Sequence, residues 1–240
     1  MQGHYIGTSG YSYPYWKGRF YPEGLPASQQ LNYYSKQFNT VELNYTFYRF
    51  PSVKALKMAA ATVPDGFLFS LKMHRSITHL LRMQQVKAKI HEFMDIVHEG
   101  LGDRLGCVLF QFPASYQFNE QRLNDILDNV PHHNNNVIEF RHISWWQENV
   151  YQALRAAYLT FCSVSFPGLP DDNIITGNVF YKRMHGVPQL FISAYSDDSI
   201  LNLAGAIPED KTSFIYFNNT MYEAGYSNAL LLDQYLKKTL

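Results

Sequence analysis

NVIEFR, residues 136–141, is the stretch on which the reading of this chain turns. Val137 and Ile138 form a short apolar, β-branched run, and the run ends on Glu139 and Arg141. Side chains alternate along a strand, so Glu139 and Arg141 share one face. Buried strands that end in charge suggest a barrel with one functional rim. The same pattern recurs to either side. Upstream, Val41 leads to Glu42 and Asn44, Phe67-Leu68-Phe69 to Lys72, and Cys107-Val108-Leu109-Phe110 to Gln111. Downstream, Val179-Phe180-Tyr181 leads to Arg183 and His185, and Phe214-Ile215-Tyr216-Phe217 to Asn218 and Asn219.

Strands are expected near 4–9, 40–44, 67–72, 105–111, 136–141, 159–164, 179–184 and 213–217. Helices are expected near 27–37, 52–62, 83–98, 120–128, 146–156, 199–206 and 226–237. Met83, Val86, Ile90, Phe93, Met94 and Val97 recur with a helical period, and Ser52 and Asn119 are placed as N-caps. Eight strand–helix alternations imply parallel strands joined by right-handed crossovers. In 240 residues that predicts an α/β protein, a (β/α)8 TIM-like barrel forming a single domain over 1–240. A doubly wound open sheet is the alternative. Two segments stay irregular: 10–26, rich in Gly, Pro and aromatics and expected to lie over the rim, and 166–177.

Lys plus Arg and Asp plus Glu each number 20, for a net charge of zero. That balance argues against a strongly basic nucleic-acid coat but leaves room for a local basic pocket. Cys107 and Cys162 each sit inside an apolar run and read as free buried thiols. No secretory leader pattern and no 18-residue apolar stretch is visible, so a cytoplasmic protein without a membrane partner is expected.

The rim residues carry the chemistry. Arg141, Arg183 and Lys72 lie on three strands; converging, they form a receptor for a phosphate or carboxylate. Glu42 and Glu139 are two carboxylates that can serve as general base and acid, or simply neutralise the cations. His185 can shuttle a proton. Asn44, Gln111 and Asn218 can orient a substrate. His79 is a weaker candidate, and His142 is expected to point away from the site. Tyr11 and Trp16, in the aromatic loop, are placed as a cover that can stack on bases or sugars. Tyr45, Phe47, Tyr48, Trp145 and Trp146 are placed with them. No zinc, P-loop, dinucleotide or nucleophile-elbow motif is present. No cofactor is expected. A divalent metal is a lesser option, because Lys and Arg crowd the available ligands.

Seven segments together resemble the YecE-like family of domains of unknown function. They are GTSGYSYPYWKGRFYP (7–22), FNTVELNYTFYRFP (38–51), FSLKMHRSITH (69–79), GCVLFQFP (106–113), IEFRHISW (138–145), YKRMHG (181–186) and FIYFNNT (214–220). The resemblance implies a TIM-like barrel and a polar rim on Glu42, Asn44, Lys72, His79, Gln111, Glu139, Arg141, Arg183, His185 and Asn218. It fixes no reaction. Its barrel is similar to endonuclease-IV-like barrels, whose metal cluster of His and carboxylates this chain replaces with Lys72, Gln111, Arg141 and Arg183.

Three functions are open at this stage. One is an enzyme of hydrolase or lyase type acting on an anionic, phosphate-bearing substrate, such as a sugar phosphate or nucleic acid. Another is a non-catalytic nucleic-acid-binding module. The last is a glycoside hydrolase using Glu42 and Glu139, against which the neighbouring cations weigh.

Overall fold

The computed structural model describes residues 3–239. Eight parallel strands follow one another around a barrel in the order β1-β8-β7-β6-β5-β4-β3-β2. They are β1 (His4–Thr8), β2 (Thr40–Leu43), β3 (Leu68–Lys72), β4 (Leu105–Gln111), β5 (Asn136–Glu139), β6 (Thr160–Ser165), β7 (Val179–Met184) and β8 (Thr212–Phe217). Every expected strand is present, to within two residues at its ends. Alternation divides each strand. Cys107, Leu109, Val137, Cys162, Val164, Tyr181, Phe214 and Tyr216 fill the barrel interior. The opposite faces pack against the helices in the larger core. Both thiols are free and buried.

The helices are α1 (Gln30–Tyr34), α2 (Val53–Thr62), α3 (Lys87–Leu101), α4 (Glu120–Asn129), α5 (Glu148–Ala156), α6 (Asp197–Ala206) and α7 (Ala224–Thr239). Ser52 caps α2 by accepting from the Ala55 amide at 3.2 Å, and Asn119 caps α4 through the Arg122 amide at 2.8 Å. α3 starts four residues later than its apolar period predicts. Arg82, Met83 and Gln85 take left-handed backbone angles that no helix accepts. A single π-helical turn, Ser76–Leu80, precedes them. No helix links β6 to β7; residues 166–178 cross as an irregular strap. Lys182, facing outward from β7, ties it down through Asp171 (2.6 Å) and Asn173 (2.8 Å).

Regular pairing runs around the sheet except between β1 and β2, where a side chain completes the closure. The Tyr34 hydroxyl accepts from the Thr8 amide at 2.8 Å and donates to the Thr40 carbonyl at 3.1 Å. Asn39 does the same lower down, accepting from Ile6 N at 3.0 Å and donating to His4 O at 2.7 Å. The phenol fits because position 7 is glycine: a Cβ there would stand 2.2 Å from Thr40 O and 2.9 Å from the hydroxyl. At the top of the seam Ser9 bridges Glu42, and the Gly10 amide donates to Glu42 O at 2.8 Å.

Candidate functional site

Strand register sets the site. β4 pairs Gln111 with Glu139, β7 pairs Arg183 with Tyr216, and Ser9 lies beside Glu42. Inward-facing polar side chains therefore meet in one layer at the C-terminal ends of the strands. Arg183, 1% exposed, spans two carboxylates that are fully buried. Its Nη2 donates to Glu42 Oε1 at 2.6 Å and its Nη1 to Glu139 Oε2 at 2.8 Å. Glu42 also accepts from Ser9 Oγ at 2.8 Å and from the Tyr181 hydroxyl at 2.7 Å. Glu139 Oε1 accepts from Arg141 Nη2 at 2.7 Å and from His185 Nε2 at 3.1 Å. His185 Nδ1 stands 2.9 Å from Asn218 Nδ2, and its Nε2 lies 3.1 Å from Arg141 Nη2 as well as from Glu139.

The protonation states follow from burial and charge. Burial works to raise the Glu139 pKa, but Arg141 and then Arg183 hold it well below the usual carboxylate range. Burial, with Arg141 and Arg183 beside it, pushes His185 well below its ordinary value, so the ring is neutral. Burial opposes the charge on Arg183, yet Glu139 and Glu42 overcome it and raise its pKa. Two guanidiniums and two carboxylates thus cancel within one buried floor.

Above that floor lies a cavity of about 400 Å³. Its polar lining is Asn44, Lys72, Gln111, Arg141, Arg183 and Asn218, and Phe47, Tyr48, Phe166, Leu190 and Phe191 supply most of the apolar wall. Among the described residues, three cations and no carboxylate line it. The Arg141 guanidinium stands 4.4 Å from the centre of the Phe166 ring. Arg141 Nε, Arg183 Nε and Asn44 Oδ1 are buried without a hydrogen-bond partner. Gln111 donates to the Phe112 carbonyl at 2.6 Å. Lys72 Nζ stands 4.3 Å over the Phe47 ring, with no hydrogen-bond or ion-pair partner among the described residues. Burial and then the Arg183 charge push its pKa down to about 7; Glu139 and Glu42 oppose this, and Arg141 adds to it.

Ten of the twelve expected site residues gather at or beside this cavity. Nine belong to the floor or lining. His79 stands behind Phe47, its ring edge-on at 4.9 Å and its Nδ1 2.9 Å from Thr78 Oγ1. Burial and then Lys72 push its pKa down to about 4. Tyr11 and Trp16 do not reach the cavity. Trp16 is fully buried among Tyr13, Phe20 and Tyr226, and its indole donates to Tyr222 O at 2.8 Å. Tyr11 lies against Tyr34 at 6.1 Å. Their loop is a core element that ties the β1 and β8 ends together. Trp145 likewise stacks in the core on Phe140 at 3.9 Å. His142 turns away and accepts from the Ser144 amide at 3.2 Å.

Five contributors escaped the sequence reading, Leu190 of the cavity wall among them. Tyr181 lies two residues before Arg183 on the same face, and Ser9 directly follows β1, so strand alternation carried both signals. Phe166 and Phe191 come from loops, where no periodicity points. Phe191 is held at φ 67° by donating its amide to His185 O at 2.7 Å.

A metal does not fit this floor. Every carboxylate oxygen of Glu42 and Glu139 already accepts from Arg183, Arg141, Ser9, Tyr181 or His185. No group of three or more His, Cys, Asp or Glu side chains among the described residues is placed to hold a metal ion. No helix among them is long and apolar enough to cross a membrane.

Eight parallel strands, alternating helices and a polar cavity at the strands' C-terminal ends define a TIM-barrel protein. Within that class the chain belongs to the family described as Protein of unknown function DUF72, whose model matches residues 5–240. It is similar to UPF0759 protein YecE of Escherichia coli (strain K12), 28% identical over 139 residues, 58% of this chain and 48% of that protein. It is also similar to UPF0759 protein YunF of Bacillus subtilis (strain 168), 25% identical over 156 residues, 62% of this chain and 54% of that protein. The chain spans about half the length of the curated relatives it matches. Among solved structures, a DUF72 family protein from Thermotoga maritima MSB8 is 30% identical, with 98% of this chain and 99% of that chain covered and a TM-score of 0.89. One from Enterococcus faecalis V583 shares the fold at 19% identity, with 98% and 96% covered and a TM-score of 0.79. The family and fold are those the sequence motifs resemble.

Proposed function

We propose that the chain is an enzyme acting on a small phosphate-bearing substrate, of the sugar-phosphate class, held in the cavity at the C-terminal rim. The observation that carries this reading is the lining: Lys72, Arg141 and Arg183 with no carboxylate among them. Arg141 and Arg183 each keep an unmet Nε–H. Guanidiniums with donors to spare are the groups that receive an oxyanion in a site. The volume of about 400 Å³ suits a small molecule rather than a strand of nucleic acid.

The two glutamates act as counter-ions in this reading. With all their oxygens engaged, they hold Arg141 and Arg183 in place. The glycosidase alternative loses its support, because the Arg183 guanidinium stands between the two carboxylates. Exposed aromatics at the mouth, Tyr48 at 67% and Phe191 at 42%, favour a second reading in which a nucleotide end stacks there.

Titration calorimetry with inorganic phosphate, sugar phosphates and mononucleotides tests the proposal. Wild type is expected to bind, and Arg141→Gln to weaken binding roughly tenfold or more, the worth of one charge-assisted hydrogen bond. No binding by wild type, or equal binding by the variant, overturns it. Preference for a base-bearing ligand over its sugar phosphate selects the second reading.

A further inference from the structure

We propose that Lys72 is a nucleophile that forms an imine with the carbonyl carbon of an anionic aldehyde or ketone bound in the cavity. This rests on the reading that the cavity takes an anion, and it names the reactive group that the anion must carry.

Geometry sets Lys72 apart from the other cations of the site. Arg141 and Arg183 are clamped by Glu139 and Glu42. Lys72 Nζ is committed to no acceptor and stands against the face of Phe47, on the cavity wall. Burial and the neighbouring guanidiniums disfavour its ammonium form, against the attraction of the Phe47 ring face. The charged groups acting on it are Arg183 and Arg141, which disfavour its proton, and Glu139 and Glu42, which favour it, with the His79 ring close by. A desolvated lysine next to other cations is how an amine is kept nucleophilic near neutral pH. With its pKa pushed down to about 7, Lys72 carries a free lone pair at neutral pH far more often than an ordinary lysine.

The step balances without an added oxidant or reductant. The neutral amine attacks the carbonyl carbon; a C–N bond forms and the C=O π pair moves to oxygen. A proton passes from nitrogen to that oxygen, giving a carbinolamine. The hydroxyl takes a second proton, supplied by water through the open mouth, and leaves as water. The nitrogen lone pair forms the protonated imine, and the anionic group of the substrate stays with Arg141. Such an imine draws electrons from the neighbouring carbon, as aldol-type cleavage or α-proton exchange requires.

Reductive trapping on the full chain tests this. The protein is incubated separately with glyoxylate, pyruvate and dihydroxyacetone phosphate, each with cyanoborohydride, and adducts are located by intact mass and peptide mapping. The expected result is one adduct per chain at Lys72, formed at pH 7 at least a hundredfold faster than at any surface lysine. It is absent in Lys72→Arg and suppressed by inorganic phosphate. The map on wild type stands even if the variant fails to fold. Adducts spread over surface lysines, with none enriched at Lys72, overturn the proposal. If phosphate still raises the melting temperature in that case, only the imine falls and the anion site stands. If phosphate has no effect either, both readings fall.

Discussion

Replacing Arg183 with Met tests whether the floor of the site is a mutually dependent ion network. Arg183 is 1% exposed and the two carboxylates it spans are fully buried. Removing one partner of a buried pair costs about 3–5 kcal/mol, because the remaining charge stays desolvated. At about 2–4 °C per kcal/mol for a chain of this size, Tm should fall by roughly 6–20 °C. The pH dependence gives a sharper test. In wild type the Glu139 pKa is depressed, so its contribution is fully present above the unfolded value of about 4.3 and is lost only as pH falls through the folded value. The Glu139 contribution should therefore hold between about pH 7.5 and about pH 5.5, while His185 and His79, held neutral in the fold, lower wild-type stability as pH falls below about 6.5. In the variant Glu42 loses its cationic partner and Glu139 keeps only Arg141, so the buried carboxylates bind protons more readily than in wild type. The penalty is then full at high pH and is relieved on acidification. Urea unfolding followed by circular dichroism at both pH values should show a gap of about 3–5 kcal/mol that narrows at the lower pH. A gap below about 1 kcal/mol, the worth of an exposed pair, refutes the reasoning, as does one that widens on acidification.

Tyr34→Phe removes the hydroxyl that completes the β1–β2 seam and strands the Thr8 amide and Thr40 carbonyl. At about 1–3 kcal/mol per buried unmet group, unfolding free energy should drop by roughly 2–6 kcal/mol, and an unchanged urea midpoint would count against that closure. Gly7→Ala drives a Cβ to 2.2 Å from Thr40 O and should cost about 3 kcal/mol or more, read as a lowered melting temperature. Trp16→Ala opens the aromatic core of the β1 loop and should cost about 3–5 kcal/mol in unfolding, while calorimetry finds phosphate affinity held. Affinity lost in step with stability would return Trp16 to the site.

The strand ends were legible because alternation is a local rule. Once β5 and β7 are strands, Glu139, Arg141, Arg183 and His185 must face inward. The same rule contains Tyr181, which its apolar neighbours disguised as core. What alternation cannot encode is who pairs with whom. Arg183 lies 141 residues from Glu42 and 44 from Glu139, and only the closed barrel joins them. The aromatic loop misled for a related reason. Tyr11 and Trp16 sit in a Gly/Pro-rich segment that looks exposed, yet its glycines and prolines let it fold inward and satisfy the Trp16 indole on the β8 loop. The late start of α3 was hidden because left-handed backbone at Arg82, Met83 and Gln85 leaves no mark in an apolar period.

Lys72 cannot at once be the charged receptor of an anion and the neutral amine that attacks a carbonyl. An anion touching Nζ would favour the ammonium and raise the pKa again. The conflict resolves if the anion sits on Arg141, whose guanidinium stays charged at neutral pH although burial lowers its pKa. Lys72 is then free to act from the Phe47 side of the cavity. Sulfate separates the two arrangements, since its own charge does not change over the range of interest. If Lys72 holds the anion, sulfate affinity should fall as pH rises through about 7 and beyond, because the ammonium that binds it is lost. If Arg141 holds it, affinity should stay level across the same range while cyanoborohydride capture of Lys72 climbs. Calorimetry with sulfate and trapping with glyoxylate, measured on one pH series, give both curves. A level affinity with rising capture is the expected outcome. Parallel loss of sulfate affinity and gain of capture would mean that one amine serves both roles in turn, and that the division of labour between Arg141 and Lys72 is wrong.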